Sequence, residues 1–315
     1  MPEIHIIIVT YNAMKWAERC FSSLRKSSVP VKCIVVDNGS ADGTQDYIKN
    51  NFPEVEFIQS QTNLGFGKAN NIGIEKAYEN GADFFYLMNQ DAWIYENSME
   101  EMLKAYNSYP NKDEIGIISP IHIDGTEKYL DIFLDQYIAK NYEKTRMISD
   151  LYFQTLKPWY EIHFVNAAHW LLPKKTIESV GGFNPYFFHY GEDDEYVNRV
   201  HFHRMKVLLV PGSKVVHDGV QLLHKIDFTK YEDVRVEINA MNPNLPNGLH
   251  LEKKSLKQSM FKNLITGNIG SYKKLSEKYK KIASESTRLS SLRNQVMQKG
   301  PVFLNLSYIS IDKNK

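Results

Sequence analysis

The chain has 315 residues, 43% apolar and 12% aromatic, enough for a sizeable core and inconsistent with a mainly disordered polymer. Lys and Arg number 38 against 37 Asp and Glu, a formal charge of +1, so no overall field draws it to nucleic acid. Cys20 and Cys33 lack metal-ligand spacing and read as buried, reduced thiols, and no apolar run reaches bilayer length.

Residues 4–9 are a β-branched run that stops on Thr10-Tyr11-Asn12, and residues 15–26 then carry helical spacing in Trp16, Cys20, Phe21 and Leu24. With no basic and apolar leader before this first strand, the expected location is cytoplasmic. The pattern repeats. Residues 31–36 form a strand ending on Asp37-Asn38-Gly39-Ser40-Ala41-Asp42-Gly43-Thr44, a capping cluster before the helix that holds Tyr47 and Ile48. Residues 55–58 make a third strand, followed by a glycine-rich loop from Asn63 to Ile74, a helix to about Asn80, and an apolar strand over 84–94 that breaks at Asn89-Gln90-Asp91. Strands alternating with helices at this interval predict an α/β fold with a mostly parallel central sheet.

Further on, the spacing predicts a helix over 99–106, a strand over 115–118, and an insertion from about 124 to 161 that lines the cleft. A strand over 164–172, a short helix over 174–180 and a turn at Gly181-Gly182-Phe183 lead to Glu192-Asp193-Asp194-Glu195 and another helix. Two short strands follow, 206–210 and 214–216, the second ending on His217. Beyond Gly219 the composition shifts: between Leu251 and Gly300 there are twelve Lys or Arg against three Glu, with helical patterns over 255–265 and 272–292. We therefore divide the chain into a catalytic-type domain, 1–219, with halves of about 1–120 and 121–219, and a basic helical extension, 220–315.

Four polar clusters end candidate strands: Thr10 to Asn12, Asp37 to Asp42, Asp91, and His217. In a sheet of this kind such ends share one edge, where ligand crevices form. Asn89 and Asp91 also suit a simple turn. Gly65-x-Gly67-x-x-Asn70 fits neither a dinucleotide fingerprint nor a P-loop. What is left is a loop with Lys68 at a helix start, which suits a diphosphate or a solvated lysine. Asp193, Val197 and Val200 share one helical face, which turns Asp193 inward as a candidate general base, while Glu195 and Arg199 can pair on another. His217 with Asp91 suits Mn2+ or Mg2+. His201, His203 and His224 show no shared ligand spacing.

The ordered motifs Ile6 to Asn12, Val35 to Thr44, Asn63 to Gly73, Leu87 to Asp91, Gly181 to Arg199, Val210-Pro211 and Val216-His217 resemble those of the family 2 glycosyltransferases, inverting enzymes of the GT-A fold, and of their rhamnosyltransferase-like branch. The resemblance implies a donor pocket formed by Thr10, Tyr11, Asn12 and Asp37 at the base and ribose, and by Asn63, Gly65 and Lys68 beside the diphosphate. Asn38, Asn71, Asn89 and Gln90 fall in the same pocket. It implies a divalent metal on Asp91 and His217 and a catalytic base in Asp193; His169-Trp170, which stands where the family usually has small and apolar residues, and Glu192 are read as acceptor contacts. The expected partners are a nucleoside diphosphate sugar and a saccharide or lipid-linked acceptor. Because Asn89 stands where the family has its first metal carboxylate, a nucleotide-sugar or glycan binding protein without turnover is the competing expectation. The basic extension suits contact with an anionic membrane at the inner face of the cell, a solvated appendage or an oligomer contact.

Overall fold

Strand β1 (Ile4–Thr10) is apolar on both faces because helices cover both. Ile4, Ile6 and Ile8 pack with Ala17, Cys20, Phe21 and Leu24 of α1 (Ala17–Leu24), while Ile7 packs with Ile74 and Ala77 of α3 (Phe66–Glu79) on the opposite side. The computed structural model describes residues 1–219 and 228–306, side chains at 142 and 228–233 excepted. His224 lies outside the described residues.

The remaining elements of the first half are β2 (Lys32–Asp37), α2 (Thr44–Asn51), β3 (Glu56–Gln59), β4 (Phe84–Asn89), β5 (Ala92–Ile94), α4 (Ser98–Ser108) and β6 (Ile115–Asp124). The second half adds α5 (Ile132–Thr145), α6 (Met147–Tyr152), β7 (Tyr160–Ile162), β8 (His169–Pro173), α7 (Lys174–Val180), α8 (Glu192–Phe202) and β9 (Lys206–His217). One sheet runs β3-β2-β1-β4-β8-β6-β9-β5, with β7 also pairing β9. The parallel ladder expected from the alternating pattern occupies β3-β2-β1-β4. Beyond it, β8 runs antiparallel between β4 and β6, and β9 runs parallel to β6. The carboxyl ends of β1, β2, β4, β6 and β9 therefore share one edge, where β8 also begins.

Three local expectations change. The glycine-rich segment is helix from Phe66 onward, so the loop is shorter than expected, while Lys68 sits in the first turn of α3, at a helix start as expected. Pro211 and Gly212, which read as a break between two strands, lie in a continuous β9 whose register against β6 shifts at Pro120/Ile121. That irregularity also carries β6 on to Asp124. The insertion contributes Leu134, Ile138, Met147, Tyr160 and Ile162 to the main core, so it is a structural part of the domain and not only a cleft lining.

The C-terminal chain forms α9 (Phe228–Met241), α10 (Gly248–Ile265), α11 (Ile269–Ser284) and α12 (Ser286–Val296), the expected helix over 272–292 being split at Glu285. Val236, Ile238, Met241, Leu256, Ile282 and Leu289 build a separate small core around Phe187 of the sheet domain. Residues 300–305 then return: Gly182 N–H donates to Val302 O at 2.9 Å, and Asn305 N–H to Glu75 at 2.7 Å. Among the described residues no helix is long and apolar enough to cross a membrane.

Candidate active site

The crevice at the shared strand edge has three walls, and the first is organised by Asp37. Its carboxylate is fully buried and accepts five hydrogen bonds: Thr10 Oγ1 (2.9 Å), Ser40 Oγ (2.6 Å), Gln45 Nε2 (2.8 Å) and the N–H groups of Gly39 (3.2 Å) and Ser40 (3.0 Å). Asp37 and Thr10 thus brace the loop after β2 instead of standing open to a ligand. Asn12, at a positive φ of 54°, accepts from Ala41 N–H (2.9 Å) and ties the first loop to the second. Tyr11 is 47% exposed above the crevice, and both its backbone groups pair with the Gln90 amide (2.7 and 3.2 Å).

Asn38 links this wall to the next. Its amide donates to Asn63 Oδ1 (3.1 Å) and Gly65 O (3.2 Å) and accepts from Leu64 N–H (2.9 Å). Gly65 has φ +84°, and a Cβ there would lie 2.3 Å from Phe188 O, so only glycine lets this loop touch the segment that enters α8. Lys68 is exposed on the first turn of α3. Asn71, expected among the donor contacts, is buried and spent on structure: it accepts from Phe183 N–H (2.7 Å) and donates to the carbonyls of Phe183 (2.9 Å) and Phe303 (3.2 Å).

The second wall holds Asp91 and His217, which meet because β5 and β9 pair with Ala92 opposite His217. His217 Nε2 lies 3.8 Å from Asp91 Oδ1 and 3.5 Å from Asn89 Nδ2. Its Nδ1 lies 2.9 Å from the fully buried carboxylate of Asp131. Burial lowers the His217 pKa, but the Asp131 hydrogen bond and the charges of Asp91, Asp131 and Asp218 outweigh it and leave it raised. Asp131 arrives from the insertion, where its other oxygen accepts the N–H groups of Phe133 (2.9 Å) and Leu134 (3.3 Å) at the start of α5. It thus caps the helix with one oxygen and holds His217 with the other.

The donor set fits a divalent cation. A carboxylate and an imidazole face each other, a second carboxylate fixes the imidazole through its far nitrogen, and Asn89 Oδ1 is buried with no hydrogen-bond partner among the described residues. No three His, Cys, Asp or Glu side chains cluster as a complete cage among the described residues, so a metal here draws further oxygens from its substrate.

Two acceptor expectations fail. His169 is completely buried behind His217, bonded to Tyr86 Oη (2.7 Å) and Val216 O (3.1 Å), with the His122 ring 5.2 Å away. Burial holds His122 down to about 3 and His169 well below its ordinary value, so both are neutral props. Trp170 points the other way, into the core, 5.5 Å from the Tyr196 ring and 6.0 Å from Phe183. Strand alternation puts neighbours on opposite faces, and the face seen by each was not legible without the register.

The third wall is the start of α8. Glu195 and Arg199 pair as expected, at 3.1 Å, but wholly inside the protein. Val197 and Val200 are buried, and Asp193 on the same face is half-buried at the crevice. Glu192 is 6% exposed, its Oε2 has no hydrogen-bond partner among the described residues, and burial followed by repulsion from Asp193 pushes its pKa up to about 8. Burial also raises Asp193, opposed by backbone N–H donors at Asp194 and Ala167. The third wall is tied to the second by the backbone: Ala167 contacts Asp193, and the adjacent Ala168 O accepts Asn89 N–H at 3.0 Å. Asn89, Asp91 and His217 thus cluster at the strand edge, and the Ala167–Ala168 backbone connects them to Asp193.

A sequence profile of glycosyl transferase family 2 matches residues 5–180. The chain is 23% identical over 235 residues to an N-acetylglucosaminyl-diphospho-decaprenol L-rhamnosyltransferase of Mycobacterium tuberculosis, covering 67% of this chain and 75% of that protein. It is 25% identical over 215 residues to a dTDP-rhamnosyl transferase of Shigella flexneri, covering 68% of each. A mannosyltransferase from Pyrobaculum calidifontis, in complex with GDP-Man and Mn2+, superposes with a TM-score of 0.54 at 14% identity, over 92% of this chain and 78% of its own.

Proposed function

The chain belongs to glycosyl transferase family 2 and is a glycosyltransferase; on that premise we propose that it moves a rhamnosyl-type sugar from a dTDP- or UDP-linked donor to a hydroxyl of a surface glycan or lipid-linked acceptor, with inversion at the anomeric carbon. The names of the two relatives support the sugar, and one of those names, which includes a diphospho-decaprenol, supports an acceptor carried on lipid.

The crevice residues divide the work. Tyr11 and the loop held by Asn12, Asn38, Asp37 and Gln90 receive the nucleotide, and Asn63, Gly65 and Lys68 border its diphosphate. Asp91 and His217 would hold Mn2+ or Mg2+, which takes up charge developing on the departing diphosphate. Asp193 accepts the proton of the attacking acceptor hydroxyl, and attack opposite the leaving group inverts the sugar. Glu192, deeper and raised to about 8, keeps its proton at neutral pH, while burial also raises Asp193 and backbone N–H donors oppose that rise, favouring the carboxylate form a base needs. Glu192 is then a hydrogen-bond donor for the acceptor.

The observation that carries this reading is the backbone path from Asp193 through Ala167 and Ala168 to Asn89 and the Asp91–His217 pair. The test is nucleotide release from UDP-, dTDP- and GDP-sugars with Mn2+, alone and with a lipid-diphosphate-linked N-acetylglucosamine. Acceptor-stimulated release from a dTDP-sugar or UDP-sugar is expected; no release and no binding of any donor would overturn the proposal.

A further inference from the structure

Helices α10 and α11 pack against one another as a hairpin that turns at Thr266-Gly267-Asn268, where Gly267 takes φ +70° and Asn268 caps α11 by accepting Ser271 N–H at 3.1 Å. At this turn Phe261, Leu264, Ile265 and Ile269 stand in solvent, 66, 52, 70 and 49% exposed. A lone exposed leucine needs no explanation, but four large apolar side chains around one turn mark a contact surface.

Charge decides what covers it. Residues 253–276 contain six lysines, Lys253, Lys254, Lys257, Lys262, Lys273 and Lys274, and no acidic residue. A second copy of the same turn would set lysine against lysine. We propose that the α10–α11 turn docks on an anionic lipid bilayer, its apolar side chains entering the boundary between headgroups and acyl chains and its lysines meeting lipid phosphates. The far side of the same bundle grips the catalytic crevice: Phe187 is part of its core, and a Cβ on Gly191 would lie 3.0 Å from Ile238 Cδ1, one residue before Glu192. A docked turn therefore holds the start of α8 at a fixed position relative to the membrane. The docking stands on the chemistry of the turn and does not depend on the assignment of donor or base.

The test is cosedimentation of the full chain with vesicles of phosphatidylcholine, with and without phosphatidylglycerol, at low and high salt, beside analytical ultracentrifugation without lipid. Binding is expected only with phosphatidylglycerol and is weakened by salt. The double variant Phe261→Ser/Ile265→Ser abolishes it. Lys262→Gln/Lys273→Gln weakens it by about fivefold per lysine, or about 25-fold. Both variants are expected to retain the wild-type affinity for nucleotide. Wild-type vesicle binding that survives the serine variant, binding indifferent to lipid charge, or self-association through this turn in place of vesicle binding would each overturn the proposal.

Discussion

Replacing Arg199 by Met removes the fastening of the base-bearing helix and nothing that faces the crevice. The guanidinium is completely buried: Nε donates to Glu195 Oε2 (3.1 Å), Nη1 to Val180 O (2.5 Å) and Nη2 to Gly182 O (2.6 Å), and the group lies 4.8 Å from the Tyr196 ring centre. Met preserves most of the stem, so the loss is polar: the Glu195 carboxylate is left with only the Asn184 amide, at 3.5 Å, and the carbonyls of Val180 and Gly182 lose the guanidinium. Breaking a buried ion pair on one side costs about 3–5 kcal/mol. At roughly 2–4 °C per kcal/mol for a large domain, the melting temperature should drop by on the order of 10 °C. Burial already raises the pKa of Glu195, and without Arg199 the carboxyl can escape by taking a proton. The loss is therefore greater at pH 8 than at pH 5. Urea unfolding at both pH values measures it, and Glu195→Gln/Arg199→Met should cost less than Arg199→Met alone. A loss below about 1 kcal/mol, or the same loss at both pH values, would refute this account of how α8 is held.

Three other outcomes follow from the geometry. Asp131→Asn leaves both proposed metal ligands in place but weakens the hold on His217 Nδ1, so Mn2+ affinity measured calorimetrically with nucleotide present should fall about 10–100-fold; unchanged affinity would remove Asp131 from the site. Glu192, raised to about 8 in the folded chain, keeps a proton that the unfolded chain gives up near its ordinary value of 4.5, so its contribution makes the fold less stable as pH rises between the two. Glu192→Gln should therefore melt higher than wild type at pH 8, by an amount worth a few kcal/mol at about 1.4 kcal/mol for each tenfold change in proton affinity, and the gap should close towards pH 4; parallel melting profiles would show that Glu192 is ionised throughout. Gly65→Ala places a Cβ 2.3 Å from Phe188 O at a φ unsuited to alanine, and should loosen donor binding along with stability in nucleotide titrations.

The first half of the fold was legible because each apolar run between residues 4 and 89 is short, rich in β-branched or aromatic residues, and closed by polar turn residues. Register was not. Whether Trp170 faces the crevice or the core depends on pairing Leu87 with Trp170 across an antiparallel step, which no local pattern announces. Asn71 and Asp37 show the same limit from the other side: their positions in the motifs are those of ligand contacts, but their hydrogen bonds are spent inside the protein. Asp131 was missed because it lies in the insertion of about 124–161, whose mixed aromatic and charged residues gave no readable element to place it on. Asp91 and His217 were read from strand ends, and the structure brings those two together at the β5–β9 pairing; Asp193 was read from helical phase, and its face of α8 also carries the buried Val197 and Val200.

The central claim is that Asp193 takes the acceptor proton in a crevice whose donor side is built by other residues. The most direct measurement is single-turnover transfer by Asp193→Asn beside donor affinity by calorimetry. A loss of about 10²–10⁴-fold in the transfer rate with donor affinity within about twofold of wild type is the result expected of a general base; wild-type turnover by that variant would contradict the claim.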